Sequence, residues 1–318
     1  MKIAHISDLH ICTRRNFRNI KKMRRLLKHI SENNFDHVVI TGDITENGLE
    51  KEFMLIRNLL EEFDLLRPDK LSVVIGNHDV YGGIQFVEDI AGFPGKCIKT
   101  NYKRKVMEFG EYFRETFDGV YSPGPDLFPY AKDLGEVVLI GINSISEYSR
   151  LKNFFASKGR ISEEQASGLF RIFNSGKYSE KPAVVLIHHH LYKTPFYALS
   201  GESRLWAKIE NEAMKLRGRK RLLNFLSRYD VKLILHGHVH ESAGYLKKGI
   251  MCMNAGETFS TSRPGKISYN EVRIERANSI ITKNIKLPDR KTLKSPYGFS
   301  EILATNSRRN DFHEAAGF

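Results

Sequence analysis

The chain reads SVVIGNHDV at residues 72–80. The β-branched run predicts a buried strand over Ser72–Ile75, and Gly76 then lets the backbone turn sharply. The next three residues, Asn77–Asp79, carry an amide, an imidazole and a carboxylate. In α/β sheets, polar side chains that directly follow a buried strand are typical of a site at the sheet edge.

Four other predicted strands end in the same way, with oxygen or imidazole donors and often a glycine. The groups are Asp8-Leu9-His10 after Ile3–Ser7, Gly42-Asp43 after His37–Thr41, His188 at the end of Ala183–His188, and Gly237-His238-Val239-His240 after Lys232–Leu235. Because the carboxyl ends of strands meet at one cleft in such sheets, we expect all five groups to converge.

Further apolar runs predict strands, and amphipathic segments predict helices between them. The remaining strands are Val137–Ile142, Gly249–Asn254, Asn270–Ile274 and Ile280–Ile285; the helices are Asn16–Ile30, Leu49–Phe63, Lys103–Phe113, Glu163–Phe173 and Met214–Tyr229. Strands and helices alternate until about residue 240, and strands then dominate to about residue 286. This order predicts an α/β domain over residues 1–286 whose last third supplies an antiparallel sheet.

Composition limits the class of protein. The chain has 318 residues, 41% of them hydrophobic and 27% charged, with a formal net charge of +13. This is the composition of a globular protein, and the positive charge favours anionic partners. The longest apolar runs are far shorter than the roughly twenty residues of a spanning helix. Three dispersed cysteines and an N-terminus that starts as a strand predict a cytoplasmic protein.

Two segments stand apart from this alternation. Residues 81–135 carry several glycine and proline turns, which favours an insertion at the rim of the cleft. Residues 287–318 are basic and contain turn-forming residues, which predicts a loosely ordered C-terminal tail.

The strand-end residues have the chemistry of metal ligands. Carboxylate, imidazole and amide donors suit Mn²⁺, Fe or Zn²⁺ better than Ca²⁺. There are seven donors, too many for one tetrahedral ion and enough for two if one carboxylate bridges: Asp8, His10, Asp43, Asn77, His188, His238 and His240. Two ions about 4 Å apart clamp the attacking and leaving oxygens of a displacement at phosphorus and activate water.

In this order, the five groups resemble the calcineurin-like metallophosphoesterase superfamily, and within it the class III cyclic nucleotide phosphodiesterase branch. The resemblance covers residues 1 to about 285. It implies a two-sheet β-sandwich flanked by helices. It also implies a first metal held by Asp8, His10, Asp43 and His240, and a second held by Asp43, Asn77, His188 and His238, with Asp43 bridging.

The same resemblance implies how the site would work. A metal-bridging hydroxide would attack phosphorus in line. His78 would lie next to the phosphate, where it would protonate the leaving oxygen or stabilise charge on the equatorial oxygens, and Asp79 would orient His78. Asn77 is a candidate for an additional contact with the phosphate.

The fourth group departs from the family pattern. The family often has His-His-Pro-Pro there, whereas this chain has His188-His189-His190-Leu191-Tyr192. We assign the ligand to His188 because it comes first after the strand, with His189 as the competing ligand or a substrate contact. Arg14 and Arg15 open a run of basic residues shortly after His10, either as a solvated helix face or as a surface that steers a phosphate.

These observations predict a metal-dependent phosphoric ester hydrolase, and specifically a phosphodiesterase of small substrates such as cyclic nucleotides. One alternative is a hydrolase of lipid-linked phosphate or pyrophosphate at an anionic membrane surface. A phosphomonoesterase and a nuclease are further alternatives, although a nuclease is disfavoured because only about thirty residues follow the catalytic region. A non-catalytic scaffold is disfavoured because all seven donors and His78 are present. The oligomeric state is left open.

Overall fold

A computed structural model describes residues 1–13, 17–84, 88–192, 214–260, 266–275 and 279–288. The strands in these ranges are β1 (Lys2–Ile6), β2 (His37–Thr41), β3 (Leu71–Val74), β4 (Tyr130–Asp133), β5 (Val138–Ile142), β6 (Gly159–Arg160), β7 (Ala183–Ile187), β8 (Leu216–Arg217), β9 (Val231–His236), β10 (Ala243–Lys247), β11 (Ile250–Asn254), β12 (Ile267–Ile274) and β13 (Ile280–Leu287).

The helices in the same ranges are α1 (Phe17–Glu32), α2 (Glu50–Glu62), α3 (Asn77–Tyr81), α4 (Asp89–Lys99), α5 (Tyr102–Tyr112), α6 (Glu163–Asn174) and α7 (Arg219–Leu226). A 3₁₀ turn covers Arg114–Phe117.

The strands form two main sheets. The first has the order β13-β12-β1-β2-β3, with β1, β2 and β3 parallel and β12 antiparallel to β1. The second has the order β10-β11-β9-β7-β5-β4, in which β5, β7, β9 and β11 are parallel and the two edge strands are antiparallel. The short strands β6 and β8 pair with each other in a third sheet.

The side chains of β7 show how the layers stack. Val184 and Leu186 belong to the core that also contains residues of the first sheet, such as Val38, so this core lies between the two sheets. Val185 and Ile187 belong to a second core shared with α6 and α7. Since successive residues of a strand point to opposite faces, both faces of this sheet are buried, and β7 has the continuous apolar sequence typical of such a strand.

The two-sheet α/β sandwich is the predicted fold class, and all nine predicted strands are present within a few residues of their predicted bounds. The structure adds β4, β6, β8, β10, α3 and α4. The helix predicted from Met214 starts later, at Arg219, because Leu216–Arg217 pairs with β6 and Gly218 turns with a φ of 82°.

The two segments set apart in the sequence are described to different extents. Residues 81–135 contribute α4, α5 and the 3₁₀ turn, and they also supply β4, an edge strand of the second sheet. Most of the predicted tail, residues 289–318, lies outside the described residues. Within the described ranges, no helix combines the length and the apolar character needed to cross a bilayer.

Candidate metal centre

The carboxyl ends of strands from both sheets meet at one edge of the sandwich. Nδ1 of His188, which follows β7, donates to the carbonyl oxygen of Thr41 at the end of β2, at 2.8 Å. The backbone N–H of His238, which follows β9, donates to Oδ2 of Asp8 beyond β1, at 3.0 Å. Both hydrogen bonds join one sheet to the other, so the predicted convergence of strand ends is present.

Four of the seven predicted donors occupy an unusual backbone conformation. Asp8, His10, Asp43 and His238 have φ values of 51°, 45°, 48° and 72°. Residues other than glycine rarely adopt this left-handed region, and such strain concentrates at functional sites. Each strand is followed by an abrupt turn that directs its polar side chain into the shared cleft.

Two glycines allow the loops to approach each other closely. A Cβ atom on Gly76 would collide with the backbone nitrogen and carboxylate of Asp43, and one on Gly237 would collide with Ser7 and the carboxylate of Asp8. A side chain at either position would therefore displace a predicted ligand. Close approach explains why both strand-end motifs contain glycine.

The donors form two groups. In the first, one ligand atom each of Asp8, His10 and His240 lie within 4.8 Å of one another. In the second, the same holds for Asp43, His188 and His238.

His188 lies at the centre of the second group. Its Nε2 lies 3.1 Å from Nδ1 of His238, 3.4 Å from Oδ2 of Asp43 and 3.1 Å from Oδ1 of Asn77. Ligand atoms bound at about 2.1 Å to one ion are separated by about 3.0–3.4 Å, so these four atoms have the spacing of a coordination shell.

An unsatisfied imidazole nitrogen in the first group supports the same interpretation. Nε2 of His10 is buried and has no hydrogen-bond partner within the described part of the chain. A buried polar atom without a partner is costly, and a metal ion supplies such a partner. The imidazole and carboxylate donors of this cleft therefore fit divalent ions such as those of Mn, Fe or Zn.

The structure distinguishes His188 from His189. Both ring nitrogens of His189 are occupied, Nδ1 by the hydroxyl of Ser144 at 2.8 Å and Nε2 by the carbonyl of Ser157 at 3.0 Å. The side chain is fully buried. His189 therefore supports the loop beside the site, and both of its ring nitrogens are engaged by that loop and by Ser144.

Glu46 is a site residue that the sequence analysis missed. Its Oε2 lies 3.0 Å from Nδ1 of His10, and its Oε1 lies 3.6 Å from Nδ1 of His78. The carbonyl oxygen of Glu46 is 3.2 Å from the same His78 nitrogen. Glu46 follows Asp43 by three residues in a loop and belongs to no distinctive motif. Its negative charge close to the second strand-end group is the one sequence signal that could have identified it.

The carboxylate of Asp79 contacts backbone groups and Thr45, not the His78 ring that it was predicted to orient. Its carboxylate accepts hydrogen bonds from the backbone N–H groups of Gly76 and Thr45, both at 2.9 Å, and from the Thr45 hydroxyl. Among the described residues, no hydrogen bond joins it to the His78 ring. Asp79 therefore ties the loop after β2 to the turn after β3, and the group beside His78 is Glu46.

The charges of the cleft influence one another strongly. Burial is the largest single effect and opposes the charged form of each group. Despite it, the Asp43 carboxylate raises the pKa of His188 to about 9, and Asp43 and Glu46 together raise the pKa of His78 to about 10. In return, His188 and His78 hold the pKa of Asp43 well below its usual range, and His10 and His78 lower the pKa of Glu46 to about 2. Both carboxylates are thus ionised, which for Asp43 is the form that binds a metal.

The remaining predicted site residues are distributed as follows. His240 is exposed at the mouth of the first group, and Asn77 lies within the second. Arg14 and Arg15, predicted to steer the substrate, lie outside the described residues.

A family model agrees with this arrangement of strand ends. The model described as calcineurin-like phosphoesterase matches residues 1–242. This chain belongs to that family. As a member, the calcineurin-like protein is a phosphoric ester hydrolase, and the family is metal-dependent.

Curated relatives of this calcineurin-like protein are distant. It is 26% identical over 265 residues to a probable glycerophosphodiester phosphodiesterase GpdQ of Arcobacter nitrofigilis, a match that covers 80% of this chain and 77% of the relative. It is 20% identical over 260 residues to a probable cyclic nucleotide phosphodiesterase of Vesicomyosocius okutanii, which covers 80% of this chain and 85% of the relative.

Among solved structures, a dimetal phosphatase from Danio rerio superposes with a TM-score of 0.58 at 12% identity, over 91% of this chain and 99% of the phosphatase. At that identity, the likeness concerns the fold alone, and it agrees with the two-sheet sandwich described above.

Proposed function

We propose that this protein hydrolyses small phosphodiesters at a centre of two divalent metal ions. The observation that carries the proposal is the position of Asp43, which belongs to the second donor group and whose backbone carbonyl accepts from the N–H of His10, in the first group, at 3.1 Å. Its Oδ2 lies 3.4 Å from Nε2 of His188 and 4.0 Å from Nε2 of His78, whose ring stacks edge-on against His10 at 4.6 Å. A carboxylate in that position is suited to bridge two ions.

The donor groups suggest which residues would hold each ion. Asp8, His10 and His240, with Asp43, would hold the first. Asn77, His188 and His238, with Asp43, would hold the second. When bound, the two ions would supply an activated water and neutralise charge on the phosphate.

The protein's own part in the reaction would centre on His78. Its backbone N–H donates to Oδ1 of Asp43 at 2.8 Å, which fixes His78 beside the donor groups. Its Nδ1 faces the carbonyl and carboxylate of Glu46, so Nε2 points towards Asp43 and the cleft. A proton on Nε2 would be given to the departing ester oxygen as the bond to phosphorus breaks.

The substrate class rests on the relatives. One is named for glycerophosphodiesters and the other for cyclic nucleotides, and both of these substrates are small phosphodiesters. We propose this shared class for the present chain, with cyclic nucleotides as the first substrates to test and glycerophosphodiesters as the second.

The test compares two chromogenic esters on metal-free protein reloaded with Mn²⁺. We expect bis(p-nitrophenyl) phosphate to be cleaved faster than p-nitrophenyl phosphate. His78→Ala should lose most diester turnover, whereas the matched variant His29→Ala, which removes a partly buried histidine of α1, should keep it. Preference for the monoester would assign a phosphomonoesterase instead. Hydrolysis of neither ester, with two ions bound per chain by elemental analysis, would reject small diesters and direct attention to lipid-linked phosphates.

We also propose that residues 1–286 form the catalytic unit, with residues 81–135 at the rim of its cleft. The close contacts of Gly83 with Glu46 and His78 support the latter. A chain that ends at residue 288 should keep full diester turnover; a tenfold loss would mean that the C-terminal segment takes part. The cytoplasmic location stays a prediction.

A further inference from the structure

A loop at the carboxyl end of β5, in the second sheet, exposes large apolar side chains to solvent. It follows β5 and spans residues 148–160. At its apex, Leu151 is 96% exposed, and Phe154 and Phe155 are exposed beside it, with their rings 5.1 Å apart. Exposed apolar residues in a cluster, as opposed to single ones, mark a surface that binds something.

Hydrogen bonds from a buried asparagine hold this loop in shape. Oδ1 of Asn153 accepts from the backbone N–H of Lys158 at 2.8 Å, and Nδ2 of Asn153 donates to the hydroxyl of Ser146 at 3.2 Å. The backbone of Asn153 also bonds to that of Ser149. The inward side of the loop is therefore polar and fixed, which leaves the apolar side chains to point outwards.

The loop is surrounded by positive charge. Residues 148–160 contain four cations, Arg150, Lys152, Lys158 and Arg160, and no acid; the nearest acids along the chain are Glu147 and Glu163. The pairing of β6 with β8 then places residues 214–221 alongside. That second stretch has five cations, Lys215, Arg217, Arg219, Lys220 and Arg221, and again no acid.

Most of these cations are available to a partner. The exposed ones are Arg150, Lys152, Arg160, Arg217, Lys220 and Arg221. Within the described residues, none of the six forms an ion pair with a carboxylate. The Arg217 guanidinium instead donates to the backbone carbonyl of Lys152 at 3.3 Å, which ties the second stretch to the loop.

This surface, hereafter the basic tip (residues 148–160 and 214–221), adjoins the candidate metal centre. The carbonyl of Ser157 in the loop accepts from Nε2 of His189 at 3.0 Å. The His189 ring in turn lies 4.4 Å from the ring of His238, centroid to centroid. One side chain therefore separates the base of the loop from a proposed metal ligand.

We propose that the basic tip docks this protein onto an anionic phospholipid bilayer. Leucine and phenylalanine side chains would enter the boundary between headgroups and acyl chains, and the surrounding cations would face the anionic headgroups. With the protein docked in this way, the candidate metal centre would lie close to the membrane surface. The proposal concerns the surface alone and does not depend on metal binding or hydrolysis.

Two other occupants fit the surface less well. A second copy of the chain, related by a two-fold axis, would bring nine cations against nine cations, which repel. A single-stranded nucleic acid would be held by aromatic rings on which bases stack, whereas the most exposed side chain here is Leu151, which is aliphatic.

The test is flotation of the full chain with lipid vesicles at 0.15 M salt. We expect binding to vesicles of phosphatidylcholine with 30% phosphatidylglycerol, little binding to phosphatidylcholine alone, and weaker binding at 0.5 M salt. The triple variant Leu151→Ser, Phe154→Ser, Phe155→Ser should lose binding by on the order of tenfold or more. Its hydrolysis of a small soluble ester should not change, because these residues lie outside the proposed catalytic machinery.

Matched controls distinguish vesicle binding by the basic tip from non-specific binding by exposed apolar side chains or by positive charge elsewhere. Met107→Ser removes an apolar residue of comparable exposure from α5, and Lys99→Glu with Lys103→Glu removes two exposed cations elsewhere; both should bind vesicles like the wild type. Arg150→Glu with Lys152→Glu should lose binding. Absence of wild-type binding, or equal binding by the triple variant, would overturn the proposal.

A probe at the apex reports on the occupant directly. The three native cysteines are buried, so Leu151→Cys offers one accessible thiol for an environment-sensitive dye. The dye should brighten and shift to the blue only when anionic vesicles are added. A dye that is already shielded in buffer at low concentration would mean that another part of this chain covers the tip. Shielding that appears with rising protein concentration would mean self-association, and shielding by oligonucleotide would mean a nucleic-acid surface; each outcome would overturn the proposal.

Discussion

Oε2 of Glu46 lies 3.0 Å from Nδ1 of His10, a member of the first donor group whose Nε2 is buried without a hydrogen-bond partner among the described residues. A carboxylate on the far nitrogen of a metal-binding histidine is a recurring arrangement, because it fixes the ring and keeps the proton off the ligating nitrogen. The other oxygen of Glu46 faces His78. One side chain thus positions both a proposed ligand and the proposed proton donor.

Replacement of Glu46 should weaken the first metal site selectively. We expect Glu46→Ala to lower Mn²⁺ affinity there by about 10- to 100-fold, with partial recovery in Glu46→Gln, whose amide oxygen still accepts from Nδ1. Two-site calorimetric titration of metal-free protein measures both affinities. The control is Glu50→Ala, an exposed change at the start of α2. Equal weakening of both sites would contradict a specific role for Glu46.

Asp43 and His78 should separate metal binding from proton transfer. Asp43→Ala removes a donor of the second group and the proposed bridge to the first, so it should lose metal as well as turnover. His78→Ala leaves the donors in place, so it should keep both ions while kcat falls by about 10²- to 10⁴-fold. Elemental analysis of both variants, alongside their rates, measures the two effects. Full activity in either variant would refute its assigned role, and lost metal in His78→Ala would make His78 a ligand.

We expect replacement of Asp79 to lower the free energy of unfolding and to affect turnover less directly. Its buried carboxylate satisfies the N–H groups of Gly76 and Thr45, and Asp79→Ala would leave these donors unpaired. We expect the free energy of unfolding of metal-free protein to fall by on the order of 3 kcal/mol. Urea unfolding measures this, with the exposed change Asp126→Ala as the control. Unchanged stability with lost turnover would instead support the original hypothesis that Asp79 orients His78.

The contrast between Asp79 and the proposed metal ligands shows what sequence can and cannot predict here. Strand ends such as Asp8 and His238 were predictable, because an apolar run followed by donors encodes both the strand and the edge where its residues emerge. What each carboxylate contacts within that edge depends on loop conformation. Asp79 was expected to orient His78, but the turn of α3 directs it towards backbone N–H groups. Glu46, for which no role was predicted, lies beside the His78 ring instead.

The same limit applies to the basic tip. Its two cationic stretches are over fifty residues apart in sequence, and each alone has the character of a solvated surface segment. The pairing of Gly159–Arg160 with Leu216–Arg217 brings them together, and strands of two residues have no hydrophobic periodicity that would reveal them. Long buried strands can be predicted from periodicity, whereas contacts between short loop segments cannot.

The last prediction concerns His37, a histidine at the start of β2, remote from the metal centre. Its Nδ1 donates to the carbonyl of Asp69 at 2.8 Å, and its Nε2 accepts from the hydroxyl of Ser72 at 2.8 Å. Burial, together with the nearby charge of Lys132, lowers its pKa to about 3. In the folded protein the ring is therefore neutral throughout the pH range in which the unfolded chain, with a pKa near 6.5, takes up a proton.

Because the unfolded state binds the extra proton, the free energy of unfolding must fall as pH drops below about 6.5. Between pH 7 and pH 5, His37 alone should account for about 2 kcal/mol of that fall. His37→Gln should be less stable at pH 7, since it loses buried hydrogen bonds, yet its stability should decline by about 2 kcal/mol less on acidification. Ser72→Ala, which removes a partner but keeps the imidazole, should retain the wild-type decline. Urea unfolding of the metal-free proteins at pH 7 and pH 5 measures these free energies. Equal declines in the free energy of unfolding for wild type and His37→Gln would mean that His37 is charged in the folded state.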